Sequence, residues 1–135
     1  MILSLDTNVI VELIRGNRFE IRRRFHDAQK ADETLVASLI VMHELYFGAA
    51  LHLDPPRERA NLERIVSDLE VWPFEDVDMD AAAAVRADLR RRGLAIGPYD
   101  LLIAGHARSL GLVIVTGNLR EFSRVEGLRS ENWLE

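Results

Sequence analysis

At 135 residues, with 48% hydrophobic and 29% charged side chains, the chain has the make-up of an ordinary globule able to bury one core, and disorder is excluded. The absence of cysteine excludes disulfides, thiolate zinc sites and a cysteine nucleophile, and a formal net charge of −5 argues against a sequence-independent nucleic-acid coat. No apolar run approaches the roughly 18 residues of a membrane span and no basic leader precedes the first strand, so a single domain over residues 1–135, located in the cytoplasm, is expected.

Ile2 to Leu5 is a short apolar run that suits a buried strand. Its end, Asp6-Thr7-Asn8, leads into a helix over Val9 to Ile14, which Gly16-Asn17 breaks. Phe19 to Ala31 spaces Phe19, Ile21, Phe25 and Ala28 among charges as a helix does. Leu35-Val36-Ala37 is a second strand, and Ser38 caps a long apolar helix from Leu39 to about Leu51. Asp54-Pro55-Pro56 marks the start of a helix over Arg57 to about Leu69, and Val71 to Phe74 reads as a third strand. Asp78 is expected to cap the alanine-rich helix Met79 to Arg92, which Gly93 ends. Gly97-Pro98 opens the helix Tyr99 to Leu110, Gly111 closes it, Leu112 to Val115 is a strand, and a short edge strand is expected near Leu128-Arg129. Short apolar strands alternating with helices, without tight hairpins, imply an α/β sandwich: a parallel sheet of four to five strands covered on both faces. Ligands in such sheets bind beyond the carboxyl ends of the strands, where Asp6 and Thr116 fall.

Three carboxylates stand among apolar residues. Asp6 closes the first strand, Glu44 has Ile40, Val41, Phe47 and Gly48 as its helical neighbours, and Asp100 has Ile96, Gly97, Ile103 and Ala104 around it. Burying an unpaired carboxylate is costly, and Lys30 is the only lysine, so if the fold gathers these acids their natural partner is a divalent cation with oxygen ligands. Each also has a plainer reading. Glu44 can be satisfied by an arginine or a backbone amide, Asp100 by the positive end of its helix, and Asp6 by acting as a cap or an Asx-turn. The arginine triplets Arg22 to Arg24 and Arg90 to Arg92, with Arg108, Arg120, Arg124 and Arg129, suit phosphate but equally suit solvated helix faces.

Other chemistries fail on residue type. His43-Glu44 is followed by Phe47 where a zinc-protease helix needs a second histidine. The series Asp76, Asp78, Asp80 has Ala81 and Ala87 where a calcium loop needs glycine and glutamate. No glycine-rich phosphate loop is present, the four histidines form no triad with a serine, and an aspartyl-phosphate at Asp6 lacks the later lysine it needs.

Four segments carry a resemblance. Leu5-Asp6-Thr7-Asn8, His43-Glu44-Leu45-Tyr46-Phe47-Gly48-Ala49, Gly97-Pro98-Tyr99-Asp100 through Ala107, and Val115-Thr116-Gly117-Asn118-Leu119-Arg120-Glu121-Phe122 resemble, in order and spacing, the motifs of PIN-domain ribonucleases, specifically VapC-type toxins. The stretch from Gly127 to Trp133 resembles the tail of that subgroup. The resemblance implies a PIN-like three-layer sandwich and an acidic pocket for Mg2+ or Mn2+, with Asp6, Glu44 and Asp100 as metal ligands. The family's fourth acid falls on Asn118, a neutral amide that also reads as a capping box with Glu121, and Thr116 matches a small hydroxyl beside the metal. A metal-activated water would then cleave RNA, with Arg120 and Arg108 as candidate contacts to its backbone. The same resemblance implies a homodimer, a VapB-type antitoxin whose C-terminal segment lies near the pocket, and a tRNA substrate, the initiator tRNA being the known kind of target. Two alternatives stay open: a PIN nuclease of RNA processing without an antitoxin, and a catalytically silent metal-binding regulator.

Overall fold

The computed structural model describes residues 1–134. In chain order the elements are β1 (Ile2–Leu5), α1 (Thr7–Arg15), α2 (Phe19–Lys30), β2 (Thr34–Ser38), α3 (Leu39–Ala50), α4 (Pro55–Val66), β3 (Glu70–Trp72), α5 (Asp76–Arg91), α6 (Pro98–Leu110), β4 (Val113–Val115), α7 (Leu119–Phe122) and β5 (Arg129–Glu131). All strand pairs are parallel, in the order β3-β2-β1-β4-β5. The chain steps outward from β1 to β3 and then returns across β1 to β4. Right-handed crossovers therefore place α1–α4 on one face and α5–α6 on the other, the expected sandwich.

Local chemistry sets most boundaries. Ser38 accepts a hydrogen bond from Val41 N–H at 3.1 Å and starts α3 directly off β2. Gly111, at φ 67°, lets the chain leave α6 in a left-handed turn and enter β4. Three expectations shift. Helix α4 begins at Pro55, because Asp54 caps it by accepting from Arg57 N–H at 3.3 Å and proline suits the first turn. Strand β3 covers Glu70–Trp72, one residue earlier than expected and shorter, since its register on β2 runs Val36 to Glu70 and Ser38 to Trp72.

Asp78 is the third correction. Helix α5 starts two residues before it, with Glu75 as cap, and Asp78 sits in the first turn, accepting from Glu75 N–H at 2.8 Å. It is buried and also takes the Ser109 hydroxyl of α6, so this acid ties α5 to α6. The helices can lie that close because Gly105 presents no side chain: a Cβ there would come within 2.5 Å of Ala82 Cα. The core runs as one cluster from Leu3 to Trp133 and includes Leu5, Ile10, Phe25, Ile103, Ile114 and Phe122. Among the described residues, no helix is long and apolar enough to cross a membrane.

Candidate active site

The strand order reverses between β1 and β4, which opens a crevice beyond their carboxyl ends. Asp6 leaves β1 in extended backbone and caps α1: its Oδ1 accepts Thr7 N–H at 2.8 Å. Its Oδ2 accepts the hydroxyl of Thr116, the residue after β4, also at 2.8 Å. Thr116 is in turn fixed by its own N–H on Glu131 O, and its Oγ1 accepts Asn118 N–H at 2.9 Å. Asp6 is only 4% exposed.

Glu44 arrives from the second turn of α3. Among the described residues neither an arginine nor a backbone amide satisfies it; the Thr7 hydroxyl donates to its Oε1 at 2.8 Å. Thr7 thus ties Asp6's own helix to Glu44. Asp100 lies in the first turn of α6 after Pro98, where acid and helix dipole agree. Its carboxyl is a near neighbour of that of Glu121, and each shifts the other's titration.

These side chains feel one another. Burial is the main reason that the Asp6 carboxyl is pushed above the usual aspartate range; the bonds from Thr116 and Thr7 oppose this, while the charges of Glu44 and Glu121 add to it. Asp100 is pushed up to about 7, first by burial, then by its hydrogen bond with Glu121 and the charges of Asp6, Glu121 and Glu44. Glu121 moves down, chiefly through the same bond with Asp100. Of the two, Asp100 is the carboxyl that burial makes harder to ionise. None of the salt bridges among the described residues involves Asp6, Glu44, Asp100 or Glu121.

The donor chemistry suits a hard divalent cation: four oxygen acids with no ion-pair partner among the described residues, and an aspartate pushed up to about 7 first by burial and then by its acidic neighbours. The side chains are not closed around a point, however. Among the described residues, no three His, Asp or Glu form a ready-made metal cage. Glu44 is drawn onto the Thr7 hydroxyl, and binding an ion would mean exchanging that bond for coordination.

The structure separates the remaining candidates. Asn118 does not complete the capping box through its own side chain: its Nδ2 donates to Glu121 Oε2 at 3.0 Å, so it orients that carboxylate. Glu121 is a further acid beside Asp100, and its signal in the sequence is an acid one turn past Asn118 on a helix leaving β4. Thr7 was passed over, although Asp-Thr-Asn offered a hydroxyl next to the first acid. Arg120 is exposed on α7 beside Glu121. Arg108 is not brought to the site. It lies eight residues along α6 from Asp100, about 12 Å up the axis, facing the Gly127 turn that leads into β5.

A doubly covered parallel sheet with acids gathered at its switch point is the architecture of a PIN domain, and the PIN domain family model matches residues 3–128. The chain belongs to the PIN-domain family, among its VapC-type ribonucleases. It is 42% identical to the tRNA(fMet)-specific endonuclease VapC of Salmonella typhimurium over 129 residues, 96% of each chain. The protein of the same name from Shigella flexneri is 43% identical over 134 residues, again 96% of each. In structure the chain is similar to VapBC2 from Rickettsia felis bound to a DNA fragment from their promoter, with a TM-score of 0.94, 32% identity, and coverage of 98% of this chain and 99% of that one. It is also similar to DNA-bound VapBC from Salmonella typhimurium, with a TM-score of 0.91, 41% identity and 98% of each chain covered.

Proposed function

We propose that this chain, acting as a single domain, is the toxin of a type II toxin-antitoxin pair and a Mg2+- or Mn2+-dependent endoribonuclease that cuts tRNA. Initiator tRNA is the first candidate, because two relatives above 40% identity carry that specificity in their names. The observation that carries the reading is the convergence of Asp6, Glu44, Asp100 and Glu121, from four separate segments, on one crevice with no ion-pair partner among the described residues.

In this reading Asp6, Glu44 and Asp100 hold the cation, with Glu121 at the rim. When bound, the cation supplies charge neutralisation for the scissile phosphate and makes an attacking water more acidic. The chain's own groups do the rest. Thr116 Oγ1–H and Thr7 N–H hold the Asp6 carboxylate in one rotamer, and Thr7 Oγ1–H holds Glu44, so the acids are aimed before substrate arrives. Glu121, oriented by Asn118 Nδ2–H, would take the proton that the water gives up as its oxygen attacks phosphorus and the opposite ester bond breaks. Arg120, exposed on the same rim, would hold a neighbouring backbone phosphate. Asn118 raised the reading of a silent regulator; the Glu121 carboxylate beside it speaks for the nuclease reading instead.

A groove of about 440 Å³ runs from Thr7 and Glu44 between α1, α3 and α4 over Val11, Leu45 and Leu62. It is the surface on which a VapB-type antitoxin segment would end at the pocket. Leu39 and Phe47 of α3 and Tyr99 of α6 are exposed and suit a homodimer.

The test is brief induction in a host followed by sequencing of RNA ends, with Asp6→Asn as control. New 5′ ends in tRNA with wild type, and none with the control, are expected; equal cutting by both would reject the site. Asparagine keeps the cap on α1, so folding is preserved. Sizing the protein alone and with its cognate antitoxin checks the partners, and a strict monomer that ignores that protein would count against them.

A further inference from the structure

Residues 131–134 lie against the site loop. Thr116, Gly117 and Asn118 carry the hydroxyl that orients Asp6 and the amide that orients Glu121. From outside, Glu131 O accepts Thr116 N–H at 3.0 Å, and two residues further on Trp133 is buried in the core. Leu134 then folds back over Gly117. A Cβ on Gly117 would run into the Leu134 side chain, with its Cγ at 3.3 Å and Asn8 Nδ2 at 3.8 Å. Gly117 has no left-handed φ, so glycine is required there by the approach of Leu134 and not by backbone conformation.

Leu134 is itself held at both backbone atoms. Its N–H donates to Asn132 Oδ1 at 2.8 Å, and its carbonyl accepts from Arg18 Nη1–H at 3.1 Å, across the turn between α1 and α2. The side chain is partly buried and packs on the main core. The tail therefore links the turn that follows Asp6's helix, through Arg18, to the loop that follows β4, through Gly117. Neither Leu134 nor Arg18 touches the acids, so any effect on them must pass through the loop.

We propose that Leu134 is a positioning residue. By packing on Gly117 and being pinned by Arg18, it keeps the Thr116-Gly117-Asn118 loop at the distance from β1 at which Thr116 reaches Asp6 and Asn118 reaches Glu121. The effect on catalysis rests on the nuclease reading above; the effect on the loop does not.

The experiment combines Leu134→Ala, Gly117→Ala and the double variant, with Leu134→Met as the conservative control. Each single variant is expected to lower kcat for RNA cleavage about tenfold with KM within about twofold, well below its melting temperature. In the Leu134→Ala background, Gly117→Ala is expected to cost no further activity, because the added methyl then enters vacated space. Leu134→Met, which refills the site, is expected to return most of kcat. The independent readout is amide exchange of the metal-free protein by NMR: Asn118 N–H, bonded to Thr116 Oγ1, is expected to exchange about tenfold faster in Leu134→Ala while core amides of β1 and β4 do not change. Unchanged exchange at Asn118 in Leu134→Ala would overturn the proposal whether or not the protein cleaves RNA. So would a Gly117→Ala cost that is the same with and without Leu134. Faster Asn118 exchange in a protein that cleaves no RNA would instead uphold the loop contact and reject the nuclease reading.

Discussion

Asp100→Asn probes the electrostatics of the pocket without substrate or metal. In the folded chain the Asp100 carboxyl keeps its proton up to about pH 7 against an ordinary 3.8, with burial as the largest cause and Glu121, Asp6 and Glu44 adding to it. Between those two pH values the folded state binds more protons than the unfolded state, so stability falls as pH rises through that window and the full penalty is present above about pH 7. A gap from 3.8 to about 7 corresponds to about 4 kcal/mol at full strength. Asp100 is only partly buried, and solvent screening reduces this to about 1–2 kcal/mol. Asparagine removes the penalty and gives up about 0.5 kcal/mol of favourable interaction between a carboxylate and the α6 N-terminus. The variant should therefore be more stable than wild type by about 1 kcal/mol near pH 8, a rise in Tm of about 3 °C, and should lose that advantage toward pH 4–5. Thermal and urea melts in a chelator, repeated at steps across this pH range, measure the difference. Curves for the two proteins that run parallel from pH 5 to 8 would refute the claim that Asp100 is held protonated by its neighbours.

The same account expects a divalent cation to compete with the proton on Asp100: millimolar Mn2+ at pH 7 should raise the Tm of wild type by several degrees and that of Asp100→Asn by clearly less, as scanning calorimetry would show. Equal shifts in both would mean that the ion binds elsewhere. Thr7→Val removes the hydroxyl that holds Glu44 while keeping the N–H that holds Asp6, so kcat/KM for RNA cleavage should drop about tenfold, and Thr7→Ser should retain most of it. Wild-type kinetics in Thr7→Val would show that Glu44 needs no such support. Gly105→Ala drives a methyl into the Ala82 backbone and should destabilise the α5–α6 pair by about 3 kcal/mol in urea unfolding, with activity per folded molecule unchanged; a loss under about 1 kcal/mol would show that the helices part easily.

Much of the site was legible because a few residues sit against the grain of their own element. A carboxylate on the apolar stripe of α3, or at the end of β1, stands out by periodicity alone, and both prove to be at the crevice. Glu121 did not stand out, because on a four-residue helix there is no stripe for it to interrupt and an acid in the first turn has an ordinary local use. Asp78 misled for the mirror-image reason: an acid before an alanine-rich helix looks like a cap, and only the packing of α6 turns it into a buried tie between helices. Arg108 drew attention by charge, yet charge without a position along α6 does not say which end of the sheet it faces.

By itself, the sequence determined the alternation of short apolar strands and helices, hence the parallel sheet, and the types of side chain available for chemistry: oxygen acids, hydroxyls and arginines, with no thiol and one lysine. These follow from local periodicity and composition, which each segment carries on its own. Only tertiary structure decided which acids share a field, which hydroxyl holds which carboxylate, and that the last leucine rests on the loop after β4. Those are contacts between residues tens of positions apart, 37 for Thr7 with Glu44 and 110 for Thr116 with Asp6, and they exist only once the strand order brings β1 and β4 side by side.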